Sequence, residues 1–362
     1  MTNPIPKPGI MDVQPYVGGL HTVEGVDKVV VLASNECPLG ASPRAIKAYQ
    51  KESGKLHLYP DGGAGELRAA IGERFGLDPA RIVCGAGSDE VISLMIGAYA
   101  GVGDEVLYTE HGFLMYPINA RSVGATPVAA PETNLTADMD KLLACVTERT
   151  KMVFLANPNN PTGSYVSVDE LRRLHAALPS HVLLVIDAAY AEYVSRNDYV
   201  SGAELVDQFE NVVMTRTYSK VFGLAAIRLG WAYCPAHVAD VLNRVRNPFN
   251  VTSPAQAAGI AAVGDLSHTD AAVAHNDEWL PRFTAELQDL GLEVAPSVGN
   301  FVLVQFGEVA RAQSAYDHLL SRGVITRMMG GYGLPDGLRV TIGLESELKA
   351  IIDSLAEHRK LA

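Results

Sequence analysis

The chain is poor in cysteine. Its four thiols, Cys37, Cys84, Cys145 and Cys234, are scattered through 362 residues without a CxxC pair. That argues against a disulfide scaffold and leaves the thiols free. The ten histidines form no HExxH and no tight His/Cys cluster, so neither a structural zinc nor a catalytic metal is expected. Positive charge is scarce too: 29 Lys and Arg stand against 41 Asp and Glu, a net of −12. A surface for nucleic acid or anionic lipid needs a clustered positive excess, and the balance here runs the other way. Long apolar runs are missing. The longest strand-like one, Val182 to Ile186, is five residues, far below the roughly 18 of a membrane span. Met1 to Gly9 is rich in Pro and polar residues and lacks the apolar core of a secretory signal. The expectation is a soluble, cytoplasmic protein with neither a membrane nor a nucleic-acid partner.

What is present is material for a core. Hydrophobic residues make up 48% and charged residues 19%, which excludes a disordered chain. At about 150 residues per domain the length predicts two domains, or one large and one small. Short β-branched runs (Arg81–Cys84, Glu105–Thr109, Thr126–Ala129, Lys151–Ala156, His181–Ile186, Asn211–Thr215, Gly230–Cys234) alternate with segments of helical period such as Ser88–Ala100 and Ser167–Ala177. Strands apolar on both faces and separated by helices predict an α/β fold, a mostly parallel sheet covered on each side. Ligands in such sheets bind beyond the carboxyl ends of the strands.

After about Pro248 the pattern changes. Ser253–Gly264 and Thr269–Leu290 read as consecutive helices, the second kinked at Pro281. Short strands then surround a helix near Val309–Ser321, and Glu345–Arg359 closes as an amphipathic helix. That pattern predicts a smaller α+β domain. The expected division is a large domain over 34–247 and a small one over 1–33 and 248–362.

Five local features carry chemistry. Gly85-Ala86-Gly87-Ser88-Asp89-Glu90 joins a strand to a helix. Free backbone N–H groups and the positive helix end there suit a phosphate; the alternative is an ordinary turn with Ser88 as N-cap. Glu90 stands where a dinucleotide fingerprint needs Gly, which disfavours a Rossmann cofactor. Asn157-Pro158-Asn159-Asn160-Pro161-Thr162-Gly163 forms an irregular loop after a strand, with Asn amides able to point into a cleft. Asp187 follows five apolar residues at a strand end, where burial is costly without a cationic partner, and Tyr190 is three residues on. Capping at a strand end is the alternative for Asp187. Lys220, in Thr217-Tyr218-Ser219-Lys220, precedes Arg228 by eight residues in a small, apolar stretch. Lysine is rare in such runs unless paired or used covalently, while Ser219 and Arg228 suit a phosphate. Taken alone, Lys220 also reads as a surface ion pair. Arg327 and Arg339 are suited to two-pronged contact with carboxylate or phosphate, although one arginine on a strand also reads as a surface charge.

In order and spacing these features resemble the fold type I pyridoxal-phosphate aminotransferases, most closely the histidinol-phosphate aminotransferase family. The likeness begins at Ser34-Asn35-Glu36-Cys37-Pro38-Leu39-Gly40 and passes through Tyr59-Pro60-Asp61-Gly62. It continues through the motifs above to Asn300-Phe301-Val302-Leu303-Val304 and Leu338–Gly343.

The resemblance implies pyridoxal 5′-phosphate as cofactor, bonded covalently to Lys220, whose freed amine then moves the substrate proton. It implies Asp187 at the pyridine nitrogen and Tyr190 and Asn160 at the 3′-oxygen. Gly87, Ser88, Asp89 (through backbone N–H), Ser219 and Arg228 are implied at the phosphate, with Phe113 stacked on the ring. It also implies a homodimer in which Tyr59 reaches the neighbouring subunit's cofactor phosphate. On the substrate side it implies Asn35, Tyr16, Arg327 and Arg339, and from these the amino donor L-histidinol phosphate and the acceptor 2-oxoglutarate. Three positions depart from the pattern: Asp187-Ala188-Ala189-Tyr190 lacks the usual Glu, His111-Gly112 replaces Pro-Thr, and Met328–Gly333 is apolar and glycine-rich. An apolar wall there also suits phenylalanine or tyrosine, making an aromatic or dual-specificity aminotransferase the alternative. A related amino acid phosphate decarboxylase and a non-catalytic binding module are further alternatives.

Overall fold

The expected strands form one seven-stranded sheet: β1 (Ile82–Gly85), β2 (Glu105–Thr109), β3 (Thr126–Ala130), β4 (Thr150–Ala156), β5 (Leu183–Asp187), β6 (Val212–Thr217) and β7 (Gly230–Tyr233). This computed structural model describes residues 4–16, 18–26 and 28–361, so residues 1–3 of the Pro-rich N-terminus fall outside the description. The strand order is β1-β7-β6-β5-β4-β2-β3. All neighbours are parallel except β7, which runs against both β1 and β6.

The sheet is buried on both faces because its apolar residues alternate between two cores. Val153, Leu155, Leu184, Ile186, Val212 and Met214 pack into one core. Their neighbours Met152, Phe154, Leu183, Val185 and Val213 pack into the other. A one-residue slip would exchange every one of them, so the register is strongly specified.

This topology collects the chemistry at one edge. β1, β4, β5 and β6 all end there, so Gly87-Ser88, the 157–163 loop, Asp187 and Ser219-Lys220 emerge side by side. Reversed β7 begins at the same edge, with Gly230 paired to both Gly85 and Thr217, and this brings Arg228 next to them.

A second, antiparallel sheet holds β8 (Glu293–Val294), β9 (Phe301–Gln305), β10 (Arg327–Met329) and β11 (Leu334–Thr341) in the order β8-β9-β11-β10. It packs with helices Val309–Ser321 and Glu345–Leu361 in a third core containing Val302, Val304, Leu338 and Val340. The long helix Leu266–Asp289 carries Pro281 inside it, as the sequence predicts. Val30–Val31 pairs in parallel with Val324–Ile325, so the chain before the large sheet joins the small-sheet side. Among the described residues no helix is long and apolar enough to cross a membrane.

Candidate active site

A cavity of about 250 Å³ opens between the two sheets. From the large sheet come Ser88, Asp89, Phe113, Asn160, Asp187, Tyr190, Ser219, Lys220 and Arg228; from the other side come Tyr16, Asn35, Arg327 and Arg339. Residues far apart in the chain thus meet around one space.

Lys220 lines this cavity. Its Nζ donates to the Ser34 carbonyl at 2.9 Å and sits 5.7 Å from the Tyr190 ring centre. It makes no ion pair among the described residues, so the surface-salt-bridge alternative fails. Burial, and then the Arg339 charge, pull its pKa from 10.5 to about 7. A lysine in that state is available as a neutral nucleophile or base near neutral pH.

Asp187 ends β5, buried. Its Oδ2 accepts from the Tyr116 hydroxyl at 2.7 Å and its Oδ1 from the Thr215 hydroxyl at 3.0 Å. Burial raises its pKa, and the two hydroxyls oppose that rise. No cation of the protein pairs with it among the described residues. A buried carboxyl held by neutral donors is a suitable partner for a cationic or N–H group of a ligand.

The turn after β1 departs from simple capping. Gly87, not Ser88, is the N-cap of helix Ser88–Tyr99, and no side chain caps it. Glu90 reaches back instead, its Oε2 accepting from Ala86 N at 2.6 Å. Gly87 has φ 88°, and a Cβ there would stand 2.6 Å from Arg228 Nη2. At Gly230 a Cβ would meet Ser88 N at 2.2 Å. These glycines let the helix N-terminus, Ser219 and Arg228 converge. Arg228 donates to Ser219 Oγ at 3.3 Å and to Asp89 Oδ2 at 3.0 Å. The cluster has the donor chemistry of a phosphate cradle.

Tyr190 and Asn160 link the two sides. Asn35 Nδ2 donates to the Tyr190 oxygen at 2.9 Å, while Asn35 N donates to Thr341 Oγ1 at 2.9 Å. Arg339 donates through Nη1 to Asn160 Oδ1 and through Nη2 to the Ala33 carbonyl at 2.6 Å. Its Nε is buried and has no partner among the described residues, an orphan donor of the kind a bound anion satisfies. Arg327 holds its guanidinium 5.3 Å from the ring centre of Tyr16.

Two expected residues do not line the cavity: Gly87, the N-cap beside Ser88, and Tyr59. Tyr59 is 82% exposed and stacks on Phe249 at 4.6 Å. Sequence reasoning also passed over Tyr116, Thr215, Ser34 and Tyr332. Thr215 is in register with Asp187, which strand pairing could have revealed. Tyr116 follows Phe113 by three residues at the start of helix Met115–Val123, and the two rings meet edge-on at 5.8 Å. Tyr332 is buried at the cavity wall, so the segment expected to be apolar presents a phenol there.

The group implied by the resemblance is compatible with this donor set: a buried amine for an aldehyde, an uncompensated carboxylate for a ring nitrogen, and an anion cradle. Fold and site together define a fold type I transferase built around a buried lysine. The chain belongs to the class I and II aminotransferase family, whose pattern matches residues 27–355. It is 59% identical over 361 residues to the histidinol-phosphate aminotransferase of Rhodospirillum centenum, covering 99% of this chain and 100% of that one. It is 58% identical over 359 residues to the protein of that name from Paramagnetospirillum magneticum, covering 99% of each. Among solved structures, the Sinorhizobium meliloti histidinol-phosphate aminotransferase in complex with pyridoxal-5′-phosphate superposes with a TM-score of 0.90 at 28% identity. That match covers 98% of this chain and 97% of the other.

Proposed function

We propose that the protein transfers the amino group of L-histidinol phosphate to 2-oxoglutarate with pyridoxal 5′-phosphate as cofactor. The products are imidazole-acetol phosphate and L-glutamate, a step of histidine biosynthesis, carried out in the cytoplasm. The observation that carries this reading is one cavity holding a buried amine, Lys220, together with two arginines, Arg327 and Arg339. Relatives bearing that activity's name align over nearly the whole chain.

When bound, pyridoxal phosphate supplies an aldehyde for the amino group and a ring that drains electrons from the substrate's Cα. Lys220 would hold it covalently, and its Nζ, when free, would take the proton from substrate Cα. Its depressed pKa leaves much of the amine neutral at pH 7. Asp187 would pair with the ring nitrogen. Tyr190 already accepts from Asn35, so its own proton is free to point to the 3′-oxygen. Asn160 gives its oxygen to Arg339, leaving its amide nitrogen to donate beside it. Gly87, Ser88 and Asp89 offer backbone donors to the phosphate, joined by Ser219 and Arg228. Phe113, at the cavity wall, would cover the ring. Arg339 and Arg327, with Tyr16, receive the donor's phosphate and then the acceptor's carboxylates. Asn35 holds this side of the pocket to Thr341.

Tyr59 belongs to the same reading as a residue given to a second copy. It points away from its own cavity, and exposed apolar residues (Ile46, Leu56, Leu58, Phe249) share its face. A homodimer would cover that face and deliver Tyr59 of the partner subunit to the cofactor phosphate. The division into 34–247 and 1–33 with 248–362 puts the cofactor residues on the first part and most substrate residues on the second.

The test follows glutamate formed from histidinol phosphate, 2-oxoglutarate and added cofactor. Turnover by the unsubstituted protein and none by Lys220→Ala supports the reading. Substantial turnover by Lys220→Ala overturns it.

A further inference from the structure

Asp187 receives a hydroxyl donor on each oxygen, from Tyr116 and from Thr215. The two donors come from different places. Thr215 is the in-register neighbour of Asp187 on β6, whereas Tyr116 lies 71 residues away, on helix Met115–Val123. The Tyr116 ring is fully buried, stacked on Phe154 at 4.6 Å and edge-on to Phe113 at 5.8 Å. One side chain therefore touches both the residue assigned to the ring face and the carboxylate assigned to the ring nitrogen. Burial pushes the Tyr116 phenol well above 10, so it stays a donor.

We propose that Tyr116 is a positioning residue: with Thr215 it holds Asp187 in the ionised form that keeps a proton on the cofactor's ring nitrogen. This rests on reading the cavity as a pyridoxal-phosphate site. The reasoning is a competition for one proton. Two bases, a carboxylate and a pyridine nitrogen, face each other in a buried space. Donors to the carboxylate stabilise its charged form and lower its affinity for the proton. The proton then resides on nitrogen, where it makes the ring an electron sink. Without the Tyr116 hydroxyl, burial favours the neutral acid, and the proton moves to Asp187. No atom is lost or gained; only its resting place changes.

The test loads the protein with cofactor labelled with 15N in the ring and reads that nitrogen by solid-state NMR. The unsubstituted protein should show the resonance of a protonated pyridine. Tyr116→Phe keeps both ring contacts and removes only the donor; its resonance should move toward the unprotonated position. With that shift, kcat should fall about tenfold at little-changed KM, the scale of one lost hydrogen bond to a charged acceptor. Thr215→Val removes the other donor and should shift the resonance the same way, which keeps the test open if Tyr116→Phe folds poorly. An unshifted nitrogen resonance in the variants would overturn the inference while leaving the site reading intact. Failure of the unsubstituted protein to bind pyridoxal phosphate would overturn both.

Discussion

Arg327 and Arg339 lie directly opposite one another in the antiparallel pair β10/β11, so both side chains rise from one face of the small sheet into the cavity. Like charges facing each other across a strand pair are unfavourable, and Arg339 is almost wholly buried. Burial lowers its pKa, and Arg327 adds to that against the opposing effect of Tyr190 and Tyr332. An anion entering the cavity would meet both guanidinium groups. Arg327→Gln should therefore lower kcat/KM for histidinol phosphate by about 10- to 100-fold, as expected for a lost charge-assisted contact of about 1.5–3 kcal/mol. Phenylalanine as donor should lose far less. Equal losses on both donors would mean that Arg327 does not read the phosphate.

Lys220 supplies a pH signature. Its amine is pulled down to about 7 by burial and then by Arg339, so it loses its proton as pH rises through that value, not through 10.5. Only the neutral amine attacks an aldehyde. In the cofactor-free chain, the rate of pyridoxal phosphate capture should rise through pH 7 and be flat between about pH 8.5 and 10. Stopped-flow absorbance measures it. A rate still climbing steadily across that upper range would show an ordinary lysine.

A buried ion pair behind the site carries a stability prediction. Arg216 Nη2 and Glu192 Oε1 are 2.5 Å apart, with side chains 8% and 10% exposed. Arg216 also lies 4.7 Å from the Phe75 ring centre and 5.8 Å from that of Trp231. Arg216→Met strands the Glu192 carboxylate, a loss of about 3–5 kcal/mol for breaking a buried pair. Urea unfolding should show it as a lower midpoint at unchanged slope. Adding Glu192→Leu should recover much of the loss. A single variant as stable as the parent would refute the prediction.

The exposed Tyr59 predicts complementation. A Tyr59→Phe chain keeps Lys220 but denies its hydroxyl to the partner, whereas Lys220→Ala is inactive in its own site. Mixed under conditions of subunit exchange, the pair should form some sites with an intact Lys220 and an intact Tyr59 of the partner subunit. Activity above that of Tyr59→Phe alone is expected. Proven exchange with no gain would argue against shared sites.

The strands were the most legible part of the chain. Glu105–Thr109 matches to the residue, and the other large-sheet strands differ by one or two at their ends, where hydrogen-bond definitions themselves differ. β-branched runs buried on both faces leave little room for another reading. Pro281 inside helix Leu266–Asp289 was legible because helical periodicity continued past it. Helices Pro43–Glu52 and Gly65–Phe75 were not, although Ser42-Pro43 carries an N-cap followed by Pro at the first helical position. The reversal of β7 has no local signature, since strand direction is decided by what the neighbours pair with.

At the site, motif residues were legible because they are local strings, while their partners were not. Asn35 and Tyr190 are 155 residues apart, and Arg339 and Asn160 are 179 apart. Only the folded register brings them together. Tyr116 is one of 14 tyrosines, and nothing in its sequence neighbourhood singles it out as the donor to Asp187.

The most direct measurement compares kcat/KM for L-histidinol phosphate and L-phenylalanine, with 2-oxoglutarate as acceptor and glutamate as the readout. Paired arginines at the cavity wall predict a preference of tenfold or more for the phosphate donor. A rate with phenylalanine equal to or above that with histidinol phosphate would contradict the account of substrate choice. Lys220 and Asp187 would then serve an aromatic aminotransferase.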